Sequence, residues 1–154
     1  MNFATPLQAQ AFAHFESLCA AAGLPPPVAD EPMALVFDGS VLVDIGIDES
    51  RQTLVLRAPV HASAQPLAAA HLAVLLTVNF DGRGTQGARF ALRDADAREV
   101  ALVMDLGGQV DYATFEAAVQ QLVTRVRAWR AVLEEDAAGP PAGEAPLPPF
   151  GPFA

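Results

Sequence analysis

Apolar positions along the chain alternate between a spacing near 3.6 and a spacing of two, and each change of period marks a new element. Leu7, Ala11, Phe12, Phe15, Leu18, Cys19 and Ala22 fall within one arc of about 140° on a helical wheel, which predicts a first helix with a wide apolar face. Thr5 can cap it, Pro6 suits its first position, and Gly23 with prolines 25–27 stops it. Phe12 and Cys19 are the candidates for exposed positions at the edge of that face.

Period two takes over next. Strands are predicted over 33–37, 41–47 and 53–57, joined by Asp38-Gly39-Ser40 and Asp48-Glu49-Ser50-Arg51; connections this short make an antiparallel meander. In the middle strand Val41, Val43, Ile45 and Ile47 alternate with Leu42, Asp44, Gly46 and Asp48, so one face is apolar and the other mixed. Leu35 and Phe37, then Leu54 and Leu56, carry apolar positions into the outer strands.

A second helix is predicted from Gln65 or Pro66 to Val78. Leu67, Leu72, Val74, Leu75, Leu76 and Val78 take up more than half of its wheel, the pattern of a helix buried on two sides. A loop over 79–87 leads to a hairpin over 88–93 and 99–104, turning through Asp94-Ala95-Asp96-Ala97. The last helix starts at Asp111, a good cap, and runs to 135, about 37 Å. Phe115, Val119, Leu122, Val126, Trp129 and Leu133 step along it by three and four, a stripe suited to packing on a sheet. The expected fold is therefore α+β, in the order α-β-β-β-α-β-β-α, with an antiparallel, twisted sheet packed by helices. It forms a single domain over 1–135. Residues 136–154 hold six of the thirteen prolines and are expected to be a Pro-rich disordered tail.

Charge narrows the function classes. The 154 residues carry 18 acidic and 9 basic side chains, all nine of them arginine, for a formal charge of −9. Such a field disfavours nucleic acid and anionic membrane surfaces as partners. The start Met1-Asn2-Phe3-Ala4-Thr5-Pro6 lacks the pattern of a secretory signal, the apolar heart 67–78 is too short to span a bilayer, and a lone cysteine suits a reducing compartment. The expectation is a cytoplasmic protein with no membrane insertion.

Candidate chemistry is sparse. Gly82-Arg83-Gly84-Thr85-Gln86-Gly87 matches G-x-G-x-x-G, yet a helix precedes it and a strand follows, the reverse of what phosphate binding at a helix N-terminus requires. His14, His61 and His71 lie on separate elements without metal-ligand spacing. Cys19 has no cation in its turn to activate it. The pairs Asp48/Glu49 and Asp94/Asp96 fall in turns, and Ser17, Ser40, Ser50 and Ser63 lie outside any nucleophile elbow. No enzymatic activity, metal or cofactor is expected. What remains is a surplus of apolar faces in an acidic chain with mean hydropathy +0.28, which dimerisation together with a peptide-binding surface would account for.

The order of elements resembles the class I type III secretion chaperones, the Tir chaperone family. The likeness is carried by Leu75-Leu76-Thr77-Val78-Asn79-Phe80, the glycine-rich loop, Phe90-Ala91-Leu92-Arg93-Asp94, Val100-Ala101-Leu102, Asp111-Tyr112, Phe115, Leu122-Val123, Trp129 and Leu133. It covers about residues 5–135. The resemblance implies a cytoplasmic bacterial homodimer without enzymatic activity that binds the N-terminal segment of a secreted effector in extended form and keeps it soluble and competent for export; the export ATPase is a further candidate partner, and the sequence leaves open whether the acidic surface contacts it. It implies that Leu72, Leu75, Leu76 and Val78 form the dimer interface. Leu7, Phe12, Phe15, Leu18, Leu35, Phe37, Val43 and Ile45 would line the effector groove. Two other readings stand beside it: an adaptor or regulatory protein of the same fold, and a small nucleotide-binding protein using the loop over 82–87.

Overall fold

The structure, a computed structural model, describes residues 4–82 and 84–137, with the backbone alone at 135–137. Its elements follow the predicted order: α1 (Pro6–Ala21), β1 (Ala34–Phe37), β2 (Val41–Asp48), β3 (Thr53–Ala62), α2 (Ala69–Asp81), β4 (Ala88–Leu92), β5 (Glu99–Gly107) and α3 (Tyr112–Ala137). The five strands form one antiparallel sheet in the order β1-β2-β3-β5-β4. The last helix enters the segment read as tail by two residues, and 138–154 lie outside the described residues.

Helix α1 begins and ends where its capping residues place it. The Thr5 hydroxyl accepts the Gln8 N–H at 3.2 Å. At the other end Leu24 N–H donates to Cys19 C=O and Gly23 N–H to Ala20 C=O, with Gly23 at φ +69°, a Schellman cap that needs the left-handed conformation. Phe12 and Cys19 are buried, a correction to their expected edge exposure. Burial pushes the Cys19 thiol pKa up, leaving a small core hydrophobe.

Helices α1 and α3 cover one face of the sheet. Val41 and Val43 of β2, Leu54 and Leu56 of β3 and Leu102 of β5 meet Phe115, Val119, Leu122 and Val126 of α3 in a fully buried core. The stripe spaced by three and four on the last helix thus packs on the sheet. Where α1 passes the start of α3, Gln10 and His14 both donate to the Val110 carbonyl, at 2.7 and 2.9 Å, and the His14 ring stacks on Phe115.

Strand β3 runs five residues beyond its predicted end. Proline argues against strand in a sequence, but residues 54, 56 and 58 are the ones that turn their backbone groups toward β5. The missing N–H of Pro59 therefore lies on the β2 side, past the last β2–β3 pair, Asp44 with Arg57, and the β3–β5 ladder runs on through a register shift.

The second helix departs most from expectation. It starts at Ala69 rather than at 65 or 66, with no side-chain cap, and it packs against the β4 side of the sheet. Only Leu75 is buried, whereas the pattern predicts burial on two sides. All-round apolarity says that a surface avoids water, and within one chain just one side of α2 finds a neighbour.

Candidate functional site

The two faces of the sheet differ sharply. Opposite the helices lies an open trough of about 1000 Å³ whose floor includes Leu42, Val55, Pro59, Ala101 and Val103. Charged side chains cross it in pairs. Arg57 meets Asp44 at 2.7 Å, Arg93 meets Glu99 at 2.9 Å, and Asp105 receives Arg51 at 2.6 Å and Arg89 at 2.8 Å. Desolvation pushes the Asp105 carboxyl up, and the hydrogen bonds from Arg89 and Arg51 outweigh it, so its pKa lies below the usual carboxylate range. A Cβ at position 46 would stand 2.6 Å from the Arg57 guanidinium, so Gly46 leaves the room in which Arg57 reaches Asp44. This face is therefore closed by its own ion pairs and arginine stems.

The edges offer more. On β1 the Met33 carbonyl accepts from Ile45 N–H at 2.8 Å, and Ala34 pairs with Asp44 and Val36 with Leu42. Pairing alternates along an antiparallel ladder, so residues 33, 35 and 37 turn their backbone groups toward β2 while Ala34 and Val36 turn theirs outward. Val36, 58% exposed, and exposed Leu42 stand beside that edge on the open face; half-buried Leu35 and Phe37 flank it on the helix side. The edge is held in place from α3, where Arg127 is ion-paired with Asp38 of the β1–β2 turn.

A second apolar surface lies along α2 and β4. Leu76 is 68% exposed and Phe80 86%, with exposed Val74 and Leu92 nearby. Between helix and strand an apolar groove of about 110 Å³ is lined by Leu72, Leu75, Leu76, Phe90, Leu92 and Val100, with Asn79 at its wall.

These two surfaces distribute the residues expected to bind. Leu7, Phe12, Phe15, Leu18, Val43 and Ile45 are buried in the single chain, while Leu35 and Phe37 reach the β1 edge. Leu72, Leu75, Leu76 and Val78 share α2: Leu75 buried, Leu72 and Val78 half-buried, Leu76 exposed. Sequence reasoning passed over Val36, Leu42, Phe80 and Leu92. The signal for Val36 and Leu42 is present in the alternation, which sets them opposite Leu35 and Val43; Phe80 stands two residues beyond the predicted helix end.

The loop over 82–87 serves the fold. Gly82 caps α2 at φ +64°, with its N–H on the Val78 carbonyl, and β4 follows rather than a helix. Buried Arg125 ties the loop to α3, donating to the Gln86 side chain at 2.6 Å and its carbonyl at 3.4 Å, and to Gln121 at 3.1 Å. Burial lowers the Arg125 pKa. The acidic pairs do turn work: Asp48 accepts from Ser50 and Arg51, and Asp94 from the Arg98 N–H. Among the described residues no three His, Cys, Asp or Glu side chains converge as a metal site, and no helix is long and apolar enough to cross a membrane.

The family model described as Tir chaperone protein (CesT) family matches residues 15–130. Comparison with curated protein sequences gives no match. Among solved structures, the fold is similar to a chain of the ExsC-ExsE complex, with a TM-score of 0.71 at 20% identity over 84% of this chain and 97% of that one. A chain of the HopA1-SchA chaperone-effector complex gives 0.62 at 16% identity, covering 80% and 96%. The Yersinia pestis type III secretion chaperone SycH in complex with a stable fragment of YscM2 gives 0.58 at 16%, covering 77% and 98%. At these identities the likeness is one of fold.

Proposed function

The chain belongs to the Tir chaperone protein (CesT) family, and from that premise we propose that it is a type III secretion chaperone that holds the N-terminal segment of a secreted effector in extended form. The observation that carries this reading is the outward-facing backbone of Ala34 and Val36 beside exposed Val36 and Leu42. An extended client can add there as a further strand, with main-chain hydrogen bonds supplying affinity and flanking side chains setting preference. Leu35 and Phe37 meet the client's other face, and the buried residues of α1 and β2 form the rigid base beneath them.

The second apolar surface supplies the homodimer. Leu76 and Phe80 lie on the same helix as the groove lined by Leu72 and Leu75. One copy thus carries both a projecting side chain and a recess, which a two-fold contact requires. Nothing in this reading needs a catalytic step: the work is to keep an aggregation-prone segment soluble in the bacterial cytoplasm until export.

Co-expression with the effector that co-purifies, followed by limited proteolysis, tests the proposal. The effector's N-terminal segment should survive digestion only in the complex, and the complex should contain two copies of this chain. A monomeric chain that leaves every effector segment unprotected would refute it.

A further inference from the structure

The sheet has two edge strands, and the structure treats them differently. On β4, Arg93 N–H donates to the Glu99 carbonyl at 3.0 Å, so residues 89, 91 and 93 face β5 and the backbone groups of Ala88, Phe90 and Leu92 face outward. Two of those three are already occupied. Phe90 N–H donates to Asn79 Oδ1 at 2.7 Å, and Asn79 Nδ2 donates to the Phe90 carbonyl at 2.9 Å. Ala88 N–H is taken by the Thr85 carbonyl at 3.0 Å. A primary amide carries the same donor and acceptor as a peptide unit, so Asn79 presents to Phe90 what one residue of a neighbouring strand would present. Alanine or leucine at 79 could not do this, and aspartate would lack the donor.

We propose that Asn79 is a built-in surrogate strand that closes the β4 edge, so that an added polypeptide strand can pair only with β1. An unpaired edge is a template for any extended chain, and a protein that accepts clients by strand addition must keep its other edge from accepting copies of itself or a second client segment. The placement suits the task. Asn79 sits in the last turn of α2, whose neighbours Leu76 and Phe80 form the surface proposed for the second copy, so closure of the edge and presentation of that surface depend on one helix position. The inference rests on the strand-addition reading above for its consequence, though not for the closure itself.

Hydrogen exchange of the native chain, followed residue by residue in solution, tests the closure without any client. The outward amide of Phe90 should be protected and the outward amide of Val36 should exchange freely, although both belong to edge strands. In Asn79→Ala the Phe90 amide should exchange about tenfold faster, the order expected for loss of one native hydrogen bond. The Arg89 amide, which faces β5, should not change. Asn79→Asp keeps the acceptor, so it should leave the Phe90 amide protected while still loosening its carbonyl, and it stands in if the alanine variant does not fold. Equal exchange at Phe90 and Val36 in the native chain, or unaltered Phe90 protection in folded Asn79→Ala, overturns the proposal.

The consequence is read with the effector segment recovered by co-purification. Val36→Pro removes an outward N–H and leaves the ladder with β2 intact, so it should abolish capture in an otherwise folded protein. Asn79→Ala should take up a second segment per chain or self-associate. Capture by Val36→Pro at native strength, or an unchanged stoichiometry and mass in Asn79→Ala, counts against selection of β1. A native chain that binds no segment yet shows the exchange contrast fails the proposed function and leaves the closure standing.

Discussion

Arg130 of α3 donates to the carbonyl of Pro59 at 2.7 Å, at the point where β3 slips register against β5. Alternation along β3 turns that carbonyl toward β2, past the last β2–β3 pair, Asp44 with Arg57, and the guanidinium supplies a donor there. Its other arm donates to the Ser40 carbonyl at 2.8 Å, so one side chain secures both the bulge and the β1–β2 turn. Arg130→Met keeps most of the stem and removes both bonds. It should destabilise the chain by about 1–3 kcal/mol, the range for a hydrogen bond to a charged group and for a polar group left unpaired. Urea unfolding with an unchanged slope and a lower midpoint would record it; an unmoved midpoint would show that solvent satisfies both carbonyls.

The proposed dimer surface separates Leu75 from Leu76. Leu75 is buried within its own chain, so Leu75→Asp should unfold the protein and say nothing about assembly. Leu76 faces away, and Leu76→Asp should leave the fold intact, within about 0.5 kcal/mol for a surface change. It should still yield monomers, because at a two-fold contact each carboxylate would be buried uncompensated. Light scattering decides: a folded Leu76→Asp that keeps a dimer's mass excludes α2 as the contact.

How far the residues alone reach is seen best in β2, β3 and α2. Val41, Val43, Ile45 and Ile47 declare β2 because the core lies on one side of it only, and a period of two survives. Residues 58–62 stay hidden behind Pro59, since whether proline ends a strand depends on a register set by β5, some forty residues on. The helix over 69–81 is plain, but its hydropathy cannot tell a neighbour in the same chain from a second molecule. The edge partnership of Asn79 with Phe90 leaves no periodic trace at all, because it exists only once α2 lies along β4.

Client capture and stability should part company at the β1 edge. Phe15 is buried beneath α3 and the sheet, and Phe15→Ala should lose about 3–5 kcal/mol through cavity formation, so any loss of client binding in that variant reports unfolding. Val36→Asp alters an exposed position next to the outward-facing backbone and should leave the urea midpoint nearly unchanged. It should weaken capture of the effector segment, since a charge then sits where an apolar client side chain would lie. Titration of both variants against the co-purified segment distinguishes them, and full capture by Val36→Asp would move the client elsewhere.

Acid should weaken the fold partly through Asp105. Arg89 and Arg51 hold its carboxylate in the folded state, so its folded pKa is depressed below that of the unfolded chain, about 3.9. A group depressed in this way contributes stability above the unfolded value, and that contribution is lost as pH falls through the folded pKa. Asp48 and Asp111 shift in the same direction, Asp48 through the Ser50 hydroxyl and Asp111 through Thr114 at the start of α3. Between about pH 5 and pH 2 the native protein should therefore lose stability, and Asp105→Asn should start lower at neutral pH and decline less steeply over the same window. Parallel curves for the two proteins would mean that the paired arginines contribute equally to both forms of residue 105, and that the open face is held by Asp44 with Arg57 and Glu99 with Arg93 instead.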